Sequence, residues 1–376
     1  MSALTVLPVR TRRERRIFLT FPWRIYKGDP LWVPPLLPDW AERIDPARGV
    51  FFKRGEAEFF IAWREGKPVG TICAAEDREE NVVRQTHECV FGFFNFIEDY
   101  TVMEALLGRV CQWAAERGLD ALTGPFNLDY EDSYGILVAG RDRPPTLMCG
   151  HNPPYYLDFI ERYGFEPARG DNIAFALDIT QENPALQELK RMAERVRERR
   201  NFVIRPADLA HWEDELERIY VLLNTAMTHL PDYRTWPREV VYNSLAPFRK
   251  IVDPELVLFA QDGERTVGWL PGLPNLNEAF IHADGLRQPW DYLKLWWYMR
   301  RQPACLAVKS VLVTPEYWGS GVVILLFNQM VRNARARGYR WIDASLTSDD
   351  NPRTPALGAR FGANLYKRYR VYRMKI

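Results

Sequence analysis

Residues 311–338, VLVTPEYWGSGVVILLFNQMVRNARARG, decide how the rest of the chain is read. The stretch opens with alternating apolar residues ending at Val313, as a strand does, and passes through Thr314-Pro315 into a Gly-Ser-Gly turn. Val322, Leu325, Leu326, Met330 and Ala334 then recur at intervals of three and four, the buried stripe of an amphipathic helix. Arg332, Asn333, Arg335 and Arg337 take the other face, and Gly338 stands where a helix stop is expected. A strand that delivers a glycine turn to a helix start leaves backbone N–H groups unpaired, with the positive end of the helix dipole behind them. Such a turn suits an anion, a pyrophosphate above all, because Gly319 and Gly321 admit it close to the backbone. Taken alone, a Gly-x-Gly is better read as a plain strand–turn–helix connection.

The segment resembles the acyl-CoA-binding motif of the GCN5-related N-acetyltransferase (GNAT) superfamily, V-x-P-x-Y-[RQ]-G-x-G-x-[GA]. It matches at Val313, Pro315, Tyr317, Gly319 and Gly321, and differs at Trp318 and Val323. The resemblance implies acetyl-CoA or another acyl-CoA as co-substrate. Leu312, Val313, Trp318, Gly319, Ser320, Gly321, Val322 and Val323 would hold it, and Asn351 matches the family's asparagine at the following helix. It also implies direct transfer of the acyl group to an amine, with no metal required.

A chain of 376 residues suits two domains better than one core, and its 26% of charged residues is that of an ordinary soluble protein. The net charge of +1 supplies no global field, so neither nucleic acid nor membrane is expected as a partner. The first residues are too charged for a secretory signal, and no apolar run approaches the roughly 18 residues of a membrane span, so a cytoplasmic location is expected. The five cysteines are scattered without a C-x-x-C pair, and the five histidines show no metal spacing.

The two halves of the sequence repeat one another. Gly70 pairs with Gly268, Gly118 with Gly338, and Gly164 with Gly362. From Gly70 to Gly118 is 48 residues against 70 in the second half, and from Gly118 to Gly164 is 46 against 24, so each half carries 22 extra residues at a different place. An internal duplication with two displaced insertions explains this. Both halves read β–α–α–β–β–β–α–β–α–β–β, which resembles the GNAT order. The expected fold class is α/β (a mixed α+β sheet), with two GNAT-like acyl-CoA N-acyltransferase domains in tandem. Residues 1–180 form the first, 181–201 a linker helix and 202–376 the second. The first half lacks the glycine turn. After its strand come Glu98 and Asp99, which cap a helix well but repel a pyrophosphate. Co-substrate binding is therefore assigned to the second half alone.

The first-half insertion, 125–150, carries Asn127, Asp129, Tyr130, Glu131, Asp132 and Tyr134, and leads through His151 to Tyr155 and Tyr156. Asn127, Asp129, Tyr134, Tyr155 and Tyr156 are candidate walls of a pocket for a small-molecule amine acceptor; a solvated loop explains the composition equally. The second-half insertion contains Asn277, a further substrate candidate, and the aromatic run Trp290, Tyr292, Trp296, Trp297 and Tyr298. That run reads as an acyl or acceptor pocket, as packing between the domains, or as the contact of a homodimer.

Amide formation needs a polarised thioester, for which the N–H near Val313 is a candidate, and a base for the amine, for which Asp343, Asp349 and Asp350 are candidates. Helix capping is the other use for each of these carboxylates. The resemblance implies a tyrosine acid four residues before the last helix's closing glycine, but Gly358 and Ile160 stand there. Tyr366 or Tyr317 would have to replace it. The sequence thus points to an acyl-CoA-dependent N-acyltransferase, probing first Asp349, Asp350 and Tyr366. Its rivals are a degenerate non-catalytic scaffold and a transferase of a longer acyl group.

Overall fold

The computed structural model describes residues 4–128, 135–228, 235–250, 252–350, 356, 358 and 361–376. The chain starts with β1 (Leu4–Pro8) and α1 (Arg12–Thr20), whose start is fixed by a Thr11/Glu14 capping box, then α2 (Pro22–Ile25) and α3 (Leu37–Arg43). β2 (Gly55–Arg64) and β3 (Lys67–Asp77) form an antiparallel hairpin about Glu65-Gly66, both at positive φ. α4 (Arg78–Arg84), β4 (Glu88–Phe96), α5 (Tyr100–Ala115) and β5 (Ala121–Gly124) follow. The half closes with β6 (Ile136–Ala139), α6 (Tyr155–Tyr163), β7 (Glu166–Pro167) and β8 (Asn172–Asp178).

Asn183 caps α7 (Pro184–Arg199), which leads to β9 (Val203–Pro206), α8 (Trp212–Ala226) and α9 (Arg238–Leu245). The β10 (Val257–Asp262) and β11 (Arg265–Pro274) hairpin precedes α10 (Asn277–Phe280) and α11 (Pro289–Tyr298). Next come β12 (Cys305–Val308), β13 (Leu312–Val313) and α12 (Val322–Ala336), and then β14 (Trp341–Ser348), β15 (Asn364–Arg370) and β16 (Tyr372–Lys375).

The duplication read from the glycines is physical. A Cβ on Gly70 would stand 2.7 Å from Leu106 of α5, and one on Gly268 would stand 3.1 Å from Val322 of α12. Each glycine marks the point where a long helix lies down on the middle of its sheet. α5 buries Val102, Leu106, Val110 and Trp113 there, and α12 buries Val322, Leu325, Leu326, Met330 and Ala334, the stripes expected from their spacing.

Sheet membership cuts across the expected boundary at residue 180. One sheet runs β1-β2-β3-β4-β5-β16-β7, and the other β6-β15-β8-β14-β12-β11-β10-β9, with β13 pairing β11. β8 and β6, from the first half, lie in the second half's sheet, where β8 pairs β14 and β15. β16 crosses the other way and pairs β5. The two halves have therefore exchanged strands, and the division expected from sequence does not separate the sheets. Packing between domains is also not the role of α11, of which only Asp291 is buried.

Candidate active site at the opened strands

The central strand of the second half is interrupted. β12 pairs in parallel with β14 from Cys305↔Trp341 to Val308↔Ala344. Beyond Val308 the chain leaves β14, and among the described residues β13 pairs only with β11. The two strands part as a wedge, with Lys309 on one side of its apex and Ser345 on the other. The apolar run from Cys305 to Val313 is thus two strands, β12 and β13. The break falls at Lys309-Ser310, where a charged and a polar residue interrupt the apolar run.

Six side chains meet at this apex. The Lys309 Nζ donates to Asp343 Oδ2 at 2.8 Å, to Ser345 Oγ at 2.6 Å and to Thr146 Oγ1 at 3.2 Å, and lies 3.7 Å from Cys149 Sγ. Asp343, fully buried, also accepts from Thr146 at 2.9 Å, Ser345 at 2.7 Å and the Tyr366 hydroxyl at 2.8 Å. Alternation along β14 turns Asp343 and Ser345 to the same side, and β15 brings Tyr366 alongside. Thr146 and Cys149 come from the first-half insertion, 197 residues from Asp343 in sequence for Thr146. Burial favours a neutral Lys309, but Cys149 and Asp343 beside it more than offset this, so its pKa lies above the ordinary lysine value. Burial, then the Asp343 charge, push the Tyr366 phenol far up, so it stays a hydroxyl donor.

The insertion is clamped from both sides. Asn275 Oδ1 accepts from Leu147 N–H at 2.9 Å and Asn277 Nδ2 donates to the Pro145 carbonyl at 3.0 Å. Lys367, buried, donates to the carbonyls of Gly140 and Arg143, and burial lowers its pKa to about 8. Beyond Cys149, the His151 Nε2 meets Asp29 Oδ2 at 2.8 Å, while its buried Nδ1 has no partner among the described residues. Burial outweighs Asp29 and holds the His151 pKa below the usual value. Asp29 lines a cavity of about 660 Å³ walled by Trp23, Tyr26, Trp32, His282 and Arg287.

At the other end of the wedge, Gly319 and Gly321 both adopt positive φ, and Gly321 starts α12 without a side-chain cap. No described residue accepts from the amides of Gly319, Gly321, Val323 or Ile324. Ser320 Oγ instead turns to the Tyr317 carbonyl at 2.6 Å, and nothing lies within 4 Å of a Cβ placed on Gly319. These free amides fit a phosphate. Two neighbours narrow the groove: Val196 of α7 would lie 2.4 Å from a Cβ on Gly321, and the Trp318 indole donates to the Val313 carbonyl at 3.0 Å. The Leu312 and Val313 side chains are buried, and Val322 points into the core.

Several expected site residues stand elsewhere. Asp349 pairs with Arg368, and Asp350 accepts from Gly170 N–H at 2.7 Å, so both tie down chain away from the apex. Tyr317 bonds Asp262 at 2.8 Å on the far side of the loop. Asn127 Oδ1 accepts from Phe93 N–H at 2.7 Å, Tyr156 Oη from Phe96 N–H at 3.1 Å, and Tyr155 donates to the Phe96 carbonyl at 2.6 Å. These three fill hydrogen-bonding positions on β4. Asn277 is buried and holds the insertion. Asp129, Tyr134 and Asn351 lie outside the described residues. Of the catalytic candidates Tyr366 reaches the apex, as does Asp343. Lys309, Ser345, Thr146 and Cys149 were not anticipated. The one signal for them was a lysine interrupting the apolar strand CLAVKSVLV.

No protein-family profile matches the chain. It is 27% identical over 379 residues to the bacterial ceramide synthase of Caulobacter vibrioides, spanning 98% of this chain and 97% of that protein. Protein YghO of Escherichia coli is 28% identical over 376 residues, spanning 97% of this chain and 94% of that protein. Among solved structures, a tandem GNAT protein from the clavulanic acid biosynthesis pathway superposes with a TM-score of 0.57 at 12% identity, covering 99% of this chain and 98% of that one. A GCN5-related N-acetyltransferase from Sphaerobacter thermophilus superposes with a TM-score of 0.50 at 15% identity, covering 90% and 84%.

Proposed function

Starting from a chain that carries the GCN5-related N-acetyltransferase fold twice in tandem, we propose that it is an N-acyltransferase joining an acyl group from acyl-CoA to a long-chain amine. The observation that carries this reading is the Lys309–Asp343–Ser345–Tyr366 cluster at the apex of an open wedge whose outer end presents unpaired amides. The co-substrate, when bound, supplies an activated thioester. The free amides of Gly319, Gly321, Val323 and Ile324 at the start of α12 bind its phosphates. Lys309, held by Asp343 and Ser345, places an ammonium where charge develops on the carbonyl oxygen and the departing sulfur. It already lies against a sulfur, that of Cys149. Tyr366 positions Asp343 and keeps its proton. With its Nε2–H donating to Asp29, His151 offers a neutral Nδ1 to take the proton that the amine nitrogen must lose.

The long-chain acceptor, and an acyl group longer than acetyl, are supported by the aromatic cavity beside Asp29 and by the name of the Caulobacter relative, since a ceramide is a fatty amide of a long-chain amino alcohol. A second reading, a non-catalytic scaffold, is favoured by the Trp318 indole on the Val313 carbonyl, which takes an acceptor from the groove.

Calorimetry and turnover with acyl-CoAs of increasing length and a long-chain primary amine separate the two. Ser320→Glu sets a carboxylate among the free amides and should remove donor binding while the protein stays folded. Gly321 is a poorer target, because any side chain there meets Val196. Lys309→Met should leave donor affinity nearly intact and lower turnover by about 100- to 1000-fold. Donor binding that survives Ser320→Glu sinks the phosphate assignment; no binding by the native protein leaves the scaffold.

A further inference from the structure

α11 is a ten-residue helix that buries almost nothing of itself. Trp290 is 57% exposed, Leu293 71%, Trp296 53% and Trp297 57%, with Tyr292 and Met299 exposed beside them. A capping box at Gln288 and Asp291 and the stack of Tyr298 on His282, 3.8 Å between rings, hold the helix in place. This much tryptophan and leucine facing water on one short helix is unlike a solvated surface, where apolar residues stand singly. Cations frame the patch. Residues 287–301 hold Arg287, Lys294, Arg300 and Arg301 against the single carboxylate Asp291, a local charge of +3 in a chain whose total is +1. Asp291 is spent on Lys294 and Arg287 leans on Asp284, but Arg300 and Arg301 have no carboxylate partner among the described residues. They lie over the Trp296 and Tyr298 rings at 3.6 and 4.5 Å.

We propose that α11 docks the protein on an anionic phospholipid surface, its tryptophans and Leu293 entering the headgroup region while Arg300 and Arg301 meet lipid phosphates. Tryptophan and tyrosine favour that interface, and neighbouring arginines add attraction to acidic headgroups. A second copy of this chain fits less well, because a two-fold contact through α11 would bring together two stretches that each carry a charge of +3. His282 stacks under α11 and also lines the aromatic cavity, so a docked helix would present that cavity to the lipid. The inference goes beyond acyl transfer and stands whether or not the wedge is catalytic.

The test is cosedimentation of the full chain with vesicles of phosphatidylcholine alone or mixed with phosphatidylglycerol, followed also by tryptophan fluorescence. The native protein should partition onto the mixed vesicles and release as salt rises. Arg300→Glu with Arg301→Glu should weaken that partitioning by roughly 30-fold or more. Leu293→Ser with Trp296→Ser and Trp297→Ser should abolish it, with melting temperature unchanged because these side chains are exposed. Native protein left in the supernatant overturns the proposal. So does sedimentation indifferent to the triple substitution, or a solution dimer that the triple substitution dissolves.

Discussion

The two halves fold alike and treat the same place in opposite ways. Strand register makes the comparison residue by residue: Val90 faces Thr123 as Ala307 faces Asp343, so Gly92 is the counterpart of Lys309. In the first half the backbone after β5 lies across that position, so closely that a Cβ on Gly92 would meet the Phe126 carbonyl at 1.6 Å. Phe126 N–H bonds the Phe91 carbonyl at 2.8 Å, Asn127 takes the Phe93 N–H, and Tyr156 and Tyr155 take the N–H and the carbonyl of Phe96. At the start of α5, Asp99 accepts from Thr101 N–H at 2.9 Å and pairs with Arg64 at 2.7 Å, whereas α12 starts on bare glycine. One half has stitched its groove shut with its own hydrogen bonds; the other keeps the groove and sets a lysine at its apex. A glycine or a lysine at one strand position separates a support from a candidate site.

The sharpest way to break the comparison is at the paired positions on β5 and β14. Asp343→Ala strands the largely enclosed Lys309 ammonium and should cost about 3–5 kcal/mol in urea unfolding. Thr123→Ala, its counterpart, loses a hydroxyl bond to Glu88 and should cost about 1 kcal/mol. Equal costs would mean that the apex cluster is no more charged in practice than the sealed half. Next in size is Tyr156→Phe, which leaves the Phe96 N–H buried without its acceptor and should destabilise by about 1–3 kcal/mol. Turnover at a temperature where the variant is folded should not change; a fall would return Tyr156 to the substrate pocket. Smallest is Asp99→Ala, at about 1 kcal/mol for a lost cap. Freed of its carboxylate, the α5 start should still give no second donor site in calorimetry, because β4 remains stitched.

The tandem fold was legible because its signals are local and periodic. The α12 stripe, the glycine where each long helix meets its sheet and the Asp99 cap all sit within a few residues of what they control. The apex was legible only at Asp343 on β14 and Tyr366 on β15, each a candidate by its own chemistry. Thr146 and Cys149 reach it from an insertion in the other half, and no spacing links them to Lys309. The ambiguity of the other candidates has one physical cause. Asn127, Tyr155 and Tyr156 have the composition of a binding wall because closing a β groove and lining one both need side chains that bond backbone amides. Composition distinguishes the two uses only when a strand's free valences can be counted.

The reciprocal strands carry a consequence for how such a protein can be inherited. With β8 seated between β14 and β15 and β16 seated on β5, each sheet is finished by material encoded in the opposite end of the gene. The amino-terminal half, which also brings Thr146 and Cys149 to the apex, therefore cannot be discarded. Splitting the gene between the repeats would leave two fragments, each with a gap where the other's strand belongs, able to regain their shape only in each other's company.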